Sequence, residues 1–250
     1  MEWYMYPAVI LVGFAAGFIN TLAGGGSALS LPMLMFLGLP ANVANGTNRI
    51  AILLQNVVGT TGYHREKVLD IRKGFTLGIA AILGAVPGAL FAISLSEMVM
   101  HRVIGSVLIV MLLLVIFKPG IWLKAQAGKI GSSNKGVSFI VFFLIGAYGG
   151  FIQAGVGFFL LAGLVLVEGM DLVRSNAIKV FLILLYTPLA LLIFILNKQV
   201  DYKLGLLLAF GNMAGAWIGS KVAVSWGPKF IRWVLIVALL GSILKLFEVF

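Results

Sequence analysis

Long apolar stretches dominate the chain, and short polar segments separate them. Residues 75–95 and 98–117 are two such stretches. A helix needs roughly 20 mostly apolar residues to cross a bilayer. The apolar residues run continuously and do not alternate with polar ones, which argues against the strands of a membrane β-barrel. The pattern predicts an all-α polytopic membrane protein with several transmembrane helices.

Glycine and polar positions recur along the chain in one register. Residues 13–19 resemble residues 146–152, and after a gap of two residues the halves align without gaps as far as Ser94 and Ser225. The aligned pairs include Gly24 and Gly155, Gly38 and Gly169, Asn45 and Asn176, Lys67 and Lys198, and Asp70 and Asp201. Matching leucines would mean little in so apolar a chain, but matching polar residues indicate a duplicated unit.

Each half predicts the same series of elements: a re-entrant helical hairpin and three transmembrane helices. The short second arms of the hairpins, residues 27–37 and 158–167, are too short to cross the bilayer as helices. The first repeat, residues 1–117, is predicted to hold a hairpin over 7–37 and spans over 45–62, 75–95 and 98–117. The second repeat, residues 137–250, is predicted to hold a hairpin over 137–167 and spans over 174–196, 204–224 and 230–247. Residues 118–136 are predicted to form a polar cytoplasmic linker.

The distribution of Lys and Arg predicts that the two repeats are inverted. A re-entrant hairpin returns to its own side and adds no crossing, so each half crosses the membrane three times. Because three is odd, the second half starts on the opposite side. This arrangement places 13 of the 18 basic residues on one side, which the positive-inside rule assigns to the cytoplasm. The other side holds Arg49, Arg102, Lys198, Lys203 and Lys245. If each hairpin were one broken crossing, the repeats would be parallel and the division would be about 11 against 7.

Composition narrows the chemistry further. The chain has no cysteine, which excludes disulfides and thiolate ligands. His64 and His101 stand beside charged residues at span ends, where solvated histidines are more common than metal ligands, so we expect no metal and no cofactor. The net charge of +10 lies in the gaps between apolar runs and not on one soluble domain, so nucleic acid is not an expected partner.

The glycine breaks at the hairpin tips are the first candidate binding site. Non-helical backbone at membrane depth is tolerated only where it is buried or lines a cavity. The short arms begin just after the glycines, so their N–H groups and positive dipole ends would face the tips and favour an anion. The alternative is that the glycines only allow close packing. The candidates are Asn20, Gly24, Gly25, Gly26, Ser27, Gln153, Gly155 and Gly157.

A second polar cluster opens the first full span of each half. Its candidates are Asn45, Thr47, Asn48 and Arg49 in the first half and Asn176 and Lys179 in the second. Arg49 and Lys179 either face inward and attract an anion or extend to the membrane surface and pair with lipid phosphates. Asn45 and Asn176 either line a cavity or are helix N-caps.

Other positions predict local structure. Asp70 and Asp201 each stand shortly before an apolar span and are expected to be N-caps. Every acidic residue lies at or near a predicted span end, so the sequence offers no mid-membrane carboxylate for a proton relay. Close helix packing is expected at the small-residue pairs Gly84 with Gly88 and Gly215 with Gly219.

The stretch over residues 13–48, with Gly24-Gly25-Gly26-Ser27 and the later Asn45-Gly46-Thr47-Asn48, resembles the sulfite exporter TauE/SafE family. Residues 146–179 support the likeness, which covers nearly the whole chain. The resemblance implies a bacterial inner-membrane transporter of sulfite, organosulfonates or related anions, with duplicated hydrophobic halves. The second half departs from the pattern, because Val156 interrupts the glycines and Ala177-Ile178 replaces Gly46-Thr47. The two half-sites are therefore not expected to contact the substrate equivalently.

The residues alone predict an anion transporter, and the resemblance adds sulfur chemistry and export. We expect alternating-access export of sulfite or an organosulfonate around a central site at the two hairpin tips. The expected partners are a small anion such as sulfite or sulfoacetate and the lipid bilayer, with a homodimer left open. Two alternatives also stay open. One is an intramembrane enzyme with Ser27 as nucleophile, which would need a histidine base, and the other is a channel-like or structural membrane protein.

Overall fold

The computed structural model describes residues 4–117 and 134–222, and within these ranges the chain is helical, without strands. The described part of the chain contains nine helices: α1 (Met5–Ala23), α2 (Ser27–Phe36), α3 (Ala41–Arg65), α4 (Ile71–Ser94), α5 (Glu97–Phe117), α6 (Lys135–Phe151), α7 (Val156–Leu166), α8 (Leu172–Leu196) and α9 (Tyr202–Val222). The segments predicted as hairpins fall on α1 with α2 and on α6 with α7, and five of the six predicted spans fall on α3, α4, α5, α8 and α9. The return of each hairpin to its own side of the membrane stays a prediction.

The structure corrects several predicted helix starts. Helix α3 begins at Ala41 and not at 45, α8 begins at Leu172 and not at 174, and α7 begins at Val156 and not at 158. Asn45 and Asn176 therefore lie inside helices and are not N-caps, so that alternative is wrong. The predicted span over 230–247 and most of the predicted linker lie outside the described residues.

Within residues 4–117 and 134–222, three helical segments are long and apolar enough to cross a membrane by length and composition: Met5–Leu22, Ile71–Ser94 and Val173–Leu196. The first of these lies in α1, so the arms of the first hairpin are unequal, with 19 residues in α1 and 10 in α2. Ten helical residues extend about 15 Å, which is half the thickness of the hydrocarbon layer. Helix α3 has 25 residues, and its many polar side chains are largely buried inside the protein.

Helices α1 and α9 run side by side in the same direction. Successive glycines of α9 face successive residues of α1: Gly211 faces Ile10, Gly215 faces Phe14, and Gly219 faces Phe18. Since both sets of numbers rise together, the two helices are parallel. The predicted packing role of Gly215 and Gly219 is confirmed by these contacts.

Helix α3 is parallel to α9 as well. Gly205 of α9 lies against Ile50 near the start of α3, and Ser220 of α9 lies against Gly62 near its end. Helix α2 packs on both α1 and α3. We call α1, α2, α3 and α9 bundle A.

Helices α4, α6 and α8 form a second parallel group. Gly146 and Gly150 of α6 face Ala81 and Ala85 of α4, while Gly74 and Gly78 of α4 face Phe181 and Leu185 of α8. Helix α7 packs on α6 and α8. We call α4, α6, α7 and α8 bundle B. Each bundle therefore takes three helices from one half of the chain and one from the other half.

The two bundles meet where α3 of bundle A packs against α8 of bundle B. Near the start of α3, Gly46 lies against Phe194, and farther along, Gly59 lies against Val180. The numbers on α3 rise while those on α8 fall, so the two helices are antiparallel. The long helices of bundle A consequently run opposite to those of bundle B. Helix α5 packs into an apolar cluster that contains residues of both bundles.

Local backbone features recur at aligned positions in the two halves. Left-handed backbone occurs at the pairs Gly24 and Gly155, Gly38 and Gly169, and Lys67 and Lys198. Asp70 and Asp201 each accept a hydrogen bond from a backbone N–H three residues later, at 2.9 Å in both cases. Their predicted role as N-caps is confirmed.

The close approach of α4 and α6 depends on glycine. A Cβ atom on Gly150 would lie 2.0 Å from the Ala85 oxygen, so any side chain forces the helices apart. We expect Gly150→Ala to lower the free energy of unfolding by about 1–3 kcal/mol. Gly136→Ala in the same helix is the control, because its nearest neighbour is the Asn134 Oδ1 atom at 3.3 Å. Thermal unfolding in detergent measures the stability of both variants. Equal unfolding midpoints for Gly150→Ala and Gly136→Ala would contradict the tight contact.

Candidate functional site

The two hairpin tips lie in direct contact. A Cβ atom on Gly24 would lie 2.5 Å from Gly157 Cα, and one on Gly157 would lie 2.3 Å from Gly24 Cα. Gly24 has φ 85° and Gly155 has φ 75°, a left-handed conformation that glycine adopts without steric cost. Glycine is therefore required for this contact. The prediction that the tips approach each other is confirmed, and their depth in a bilayer stays a prediction.

Both short arms begin at this contact. Helix α2 starts at Ser27 and α7 starts at Val156. In the first tip, Ala28 N donates to Gly25 O at 3.1 Å. The N–H groups that come before Ala28 at the start of α2 have no acceptor inside the helix. The positive ends of two helix dipoles thus converge at the tips. Such an arrangement favours a bound negative charge.

Buried amides link the first tip to the rest of bundle A. Asn20, one turn before Gly24, donates from Nδ2 to Gln55 Oε1 at 3.2 Å, and Asn212 Nδ2 donates to the same oxygen at 3.2 Å. All three amide side chains are at most 5% exposed. Our sequence analysis missed Asn212. The sequence does indicate it, because Asn212 is a lone amide inside an apolar stretch, where polar groups tend to face protein or water.

Gln153 occupies the corresponding place before the second tip and is also buried. Its Nε2 donates to Thr187 Oγ1 at 3.4 Å, and Tyr186 Oη donates to its Oε1 at 3.4 Å. Tyr186 aligns with Gln55 in the repeat. Each hairpin amide thus bonds to the side chain at the same repeat position of the following long helix.

The polar cluster near the start of α3 faces the interior. Asn45 and Thr47 are fully buried. Asn45 Nδ2 donates to Phe151 O at 2.8 Å, and Thr47 Oγ1 accepts a hydrogen bond from Asp201 N at 2.8 Å. These contacts connect α3 with the end of α6 and the start of α9. The cluster therefore stands at a junction of both bundles.

Asn48 holds the start of α2 in place. Its Nδ2 donates to Ser27 Oγ at 3.3 Å, and its Oδ1 accepts from Ser30 Oγ at 2.7 Å. Ser27 is thus bonded to an amide and not to a histidine. His64 is exposed at the far end of α3, and His101 is half-buried on α5. This arrangement gives Ser27 no nearby histidine base among the described residues, which argues against the intramembrane-protease alternative.

Arg49 is fully buried and faces bundle B. Its Nη1 donates to Gly149 O at 3.1 Å, and its Nη2 donates to Gly150 O at 2.6 Å and to Phe151 O at 3.4 Å. The guanidinium also lies over the Phe194 ring, 4.5 Å from its centre. The alternative that Arg49 extends to lipid phosphates is therefore wrong. Arg49 instead satisfies the terminal carbonyls of α6.

Lys179 is fully buried and faces bundle A. Its Nζ donates to Asn20 O at 3.0 Å, to Thr21 O at 3.2 Å and to Asn176 Oδ1 at 2.7 Å. Asn20 and Thr21 lie at the carbonyl end of α1, where a cation interacts favourably with the helix dipole. Lys179 therefore satisfies terminal carbonyls of α1, as Arg49 satisfies those of α6. The surface alternative is wrong for Lys179 as well.

Neither buried cation forms an ion pair within the described ranges, where the pairs are Lys73 with Glu168 and Arg174 with Asp171. Their charges are compensated by carbonyl and amide oxygens, which carry only partial charges. The region around the tips thus combines two cations, two helix N-termini and buried amides. Breaks in apolar helices with polar groups gathered around them are typical of the binding sites of membrane transporters.

The helices and this polar centre define a multi-pass membrane protein with a transporter-like interior. Comparison with known families agrees: the model of the family described as "Sulfite exporter TauE/SafE" matches residues 9–246. The chain belongs to this family of membrane transporters. No solved structure matches the chain.

Similar proteins cover nearly the same length. One relative from Sinorhizobium sp, named "Probable membrane transporter protein ORF9", is 26% identical and covers 98% of this chain and 94% of its own. A "Probable membrane transporter protein" from Haemophilus influenzae is 25% identical over 88% of this chain and 86% of its own. A third, YjnA from Bacillus subtilis, is 23% identical over 97% of this chain and 100% of its own.

Proposed function

We propose that this protein exports a small sulfur-containing oxyanion, sulfite or an organosulfonate, across the bacterial inner membrane by alternating access. The direct contact between Gly24 and Gly157 carries the proposal, because it brings the N-termini of α2 and α7 together among buried amides. The proposed site comprises Asn20, Gly24, Gly25, Gly26, Ser27, Asn45, Thr47, Asn48, Arg49, Gln153, Gly155, Gly157, Asn176 and Lys179.

The charges around the tips support an anionic substrate. Arg49 and Lys179 are fully buried cations, and their nearest partners are neutral oxygen atoms. The buried carboxylate of Glu168 is paired with Lys73, away from the tips. Helix N-termini add positive partial charge. A small oxyanion bound at the tips would gain from all of these fields, whereas a cation would be repelled.

The opposite directions of equivalent helices support inverted repeats. Helices α1 and α3 of the first half run against α6 and α8, their counterparts in the second half. We infer a pseudo-two-fold axis in the membrane plane, which is common among transporters with a central site. The division of basic residues adds support, and it assigns the α3–α4 loop to the cytoplasm. Association of two copies of the chain stays a prediction.

The membrane potential supports export as the direction. Moving one negative charge out of a negative-inside cell releases about 2.3 kcal/mol for each 100 mV. Outward movement of an anion therefore needs no coupling ion. This agrees with the position of the acidic residues, which lie at or near helix ends along the described chain.

Flux through proteoliposomes tests the proposal. Vesicles loaded with sulfite, sulfoacetate, sulfate or taurine are compared with and without an imposed inside-negative voltage. We expect saturable efflux of sulfite or sulfoacetate, accelerated by the voltage, and counterflow when the same anion is present on both sides. Taurine, which carries no net charge, is the control and should show no acceleration. Flux that neither saturates nor shows counterflow would identify a channel, and substrate turnover in detergent would identify an enzyme.

A further inference from the structure

Two buried cations connect the bundles in opposite directions. Arg49 lies on α3 of bundle A and bonds to the carbonyl end of α6 in bundle B. Lys179 lies on α8 of bundle B and bonds to the carbonyl end of α1 in bundle A. Each cation therefore holds the long hairpin arm of the other bundle, a few residues before the hairpin tip.

Most other polar contacts of the interior stay within one bundle. Within bundle A, hydrogen bonds join Asn20, Gln55 and Asn212, and others join Asn48, Ser27 and Ser30. Within bundle B, they join Gln153, Tyr186 and Thr187. The bonds of Arg49 and Lys179 cross between the bundles, together with the bond from Asn45 to Phe151 O. The cations, together with Asn45, therefore connect the polar interiors of the two bundles.

The donors of Lys179 are fully used in this arrangement. An ammonium group has three N–H donors, and Lys179 Nζ contacts three acceptors: Asn20 O, Thr21 O and Asn176 Oδ1. No donor is left for a substrate while these bonds exist. Arg49 also bonds to α6 carbonyls through both Nη atoms, whereas its buried Nε has no hydrogen-bond partner among the described residues. These bonds indicate that the two cations act on the substrate indirectly, through the hairpin ends that they hold.

We propose that Arg49 and Lys179 are positioning residues, each of which fixes the tip of the hairpin in the opposite bundle. The substrate is then held by the tip N–H groups and amides, and the cations determine where those groups lie. Because the bonds cross between the bundles, tip geometry is coupled to the relative position of the bundles. The identity of the substrate rests on the proposed function, but the reciprocal control of the tips does not.

Hydrogen exchange of backbone amides tests this reciprocity without substrate. Lys179→Met should raise exchange in the first tip, residues 20–30, by about tenfold and leave the second tip, residues 150–160, unchanged. Arg49→Lys keeps the charge but cannot reproduce the guanidinium fork, so it should raise exchange in the second tip only. Tyr63→Phe is the matched control, because Tyr63 Oη donates at 3.2 Å to the same Thr21 oxygen from within bundle A. It should change neither tip.

Substrate binding provides the second readout. Lys179→Met should weaken binding of methanesulfonate, with one negative charge, by about tenfold, because the tip loses its position. Sulfoacetate, with two charges, should lose somewhat more, since the variant also removes a positive field. A cation that acted through its charge alone would double the loss of binding free energy from the monoanion to the dianion. Lys179→Arg, which can still reach the carbonyl end of α1, should restore binding to within about threefold.

Three results would overturn the positioning roles. They are equal exchange increases in both tips for each variant, no increase in either tip, and a loss of binding free energy that doubles from the monoanion to the dianion. Arg49→Lys keeps a buried positive charge, so the exchange test still applies if Lys179→Met does not fold. Wild-type protein that binds neither anion would count against the proposed function only, because the exchange measurement needs no substrate.

Discussion

Gly24→Ala is expected to lower the free energy of unfolding by about 2–5 kcal/mol and to remove most of the anion flux. A Cβ atom at this position would lie 2.5 Å from Gly157 Cα, so the two tips would have to separate. Overpacking of this kind costs about 1–3 kcal/mol. The left-handed backbone at φ 85° adds about 1–2 kcal/mol for a residue with a Cβ atom. Separation of the tips would also disperse the N–H groups that the proposed site needs.

Gly38→Ala is the matched control for this substitution. Gly38 has φ 89°, but apart from its chain neighbours no described residue lies within 4 Å of its Cβ position. The variant carries the backbone cost alone and should keep near-normal flux. Thermal unfolding and sulfite flux measured on both variants separate the two effects. If Gly38→Ala lost as much flux as Gly24→Ala, the contact between the tips would not be the functional feature.

Arg49→Gln is expected to have the second large effect, a loss of about 3 kcal/mol in the free energy of unfolding. The shorter side chain leaves the carbonyls of Gly149 and Gly150 without their donors in a buried place. Hydrogen bonds to charged groups contribute about 1.5–3 kcal/mol each, and unpaired buried acceptors add a further cost.

Arg102→Gln is the matched control for Arg49→Gln, because Arg102 is exposed on α5. Exposed substitutions usually change stability by less than about 0.5 kcal/mol. Unfolding of both variants is followed by near-UV circular dichroism in the same detergent. Equal unfolding midpoints would mean that the buried bonds of Arg49 contribute nothing to stability.

The helices were largely predictable because apolar continuity is a local property of the chain. The break between α1 and α2 was predictable for a related reason, since the glycine run Gly24 to Gly26 is followed by an apolar segment too short to span. The start of α3 was misplaced because Asn45 is a favourable N-cap residue, and Asn176 suggested the same role in α8. Their side chains instead find partners elsewhere, on Phe151 and Lys179.

The assignment of helices to bundles could not be read from the chain. It depends on contacts between distant segments, such as Gly211 against Ile10 and Gly146 against Ala81. The common role of Arg49 and Lys179 was hidden as well, because these residues do not occupy aligned positions in the repeat: Lys179 aligns with Asn48. Equivalent carbonyl ends can be reached from adjacent positions of a helix, so repeat alignment alone does not identify such partners.

Disulfide cross-links measure most directly whether the bundles must move during transport. The chain has no cysteine, so engineered pairs act without background. Gly59→Cys with Val180→Cys joins the bundles, since the Gly59 Cβ position lies 3.0 Å from Val180 Cγ1. Ile50→Cys with Gly205→Cys joins α3 and α9 within bundle A, where the Cβ positions are 3.2 Å apart, near the separation in disulfides.

The decisive measurement is sulfite efflux from proteoliposomes under inside-negative voltage, before and after oxidation of each cysteine pair and again after reduction. Alternating access between the bundles predicts that oxidation of the 59–180 pair stops efflux, that reduction restores it, and that the 50–205 pair has little effect in either state. Undiminished efflux through protein fully cross-linked at 59–180 would contradict the account, because the anion would then cross without relative movement of the bundles.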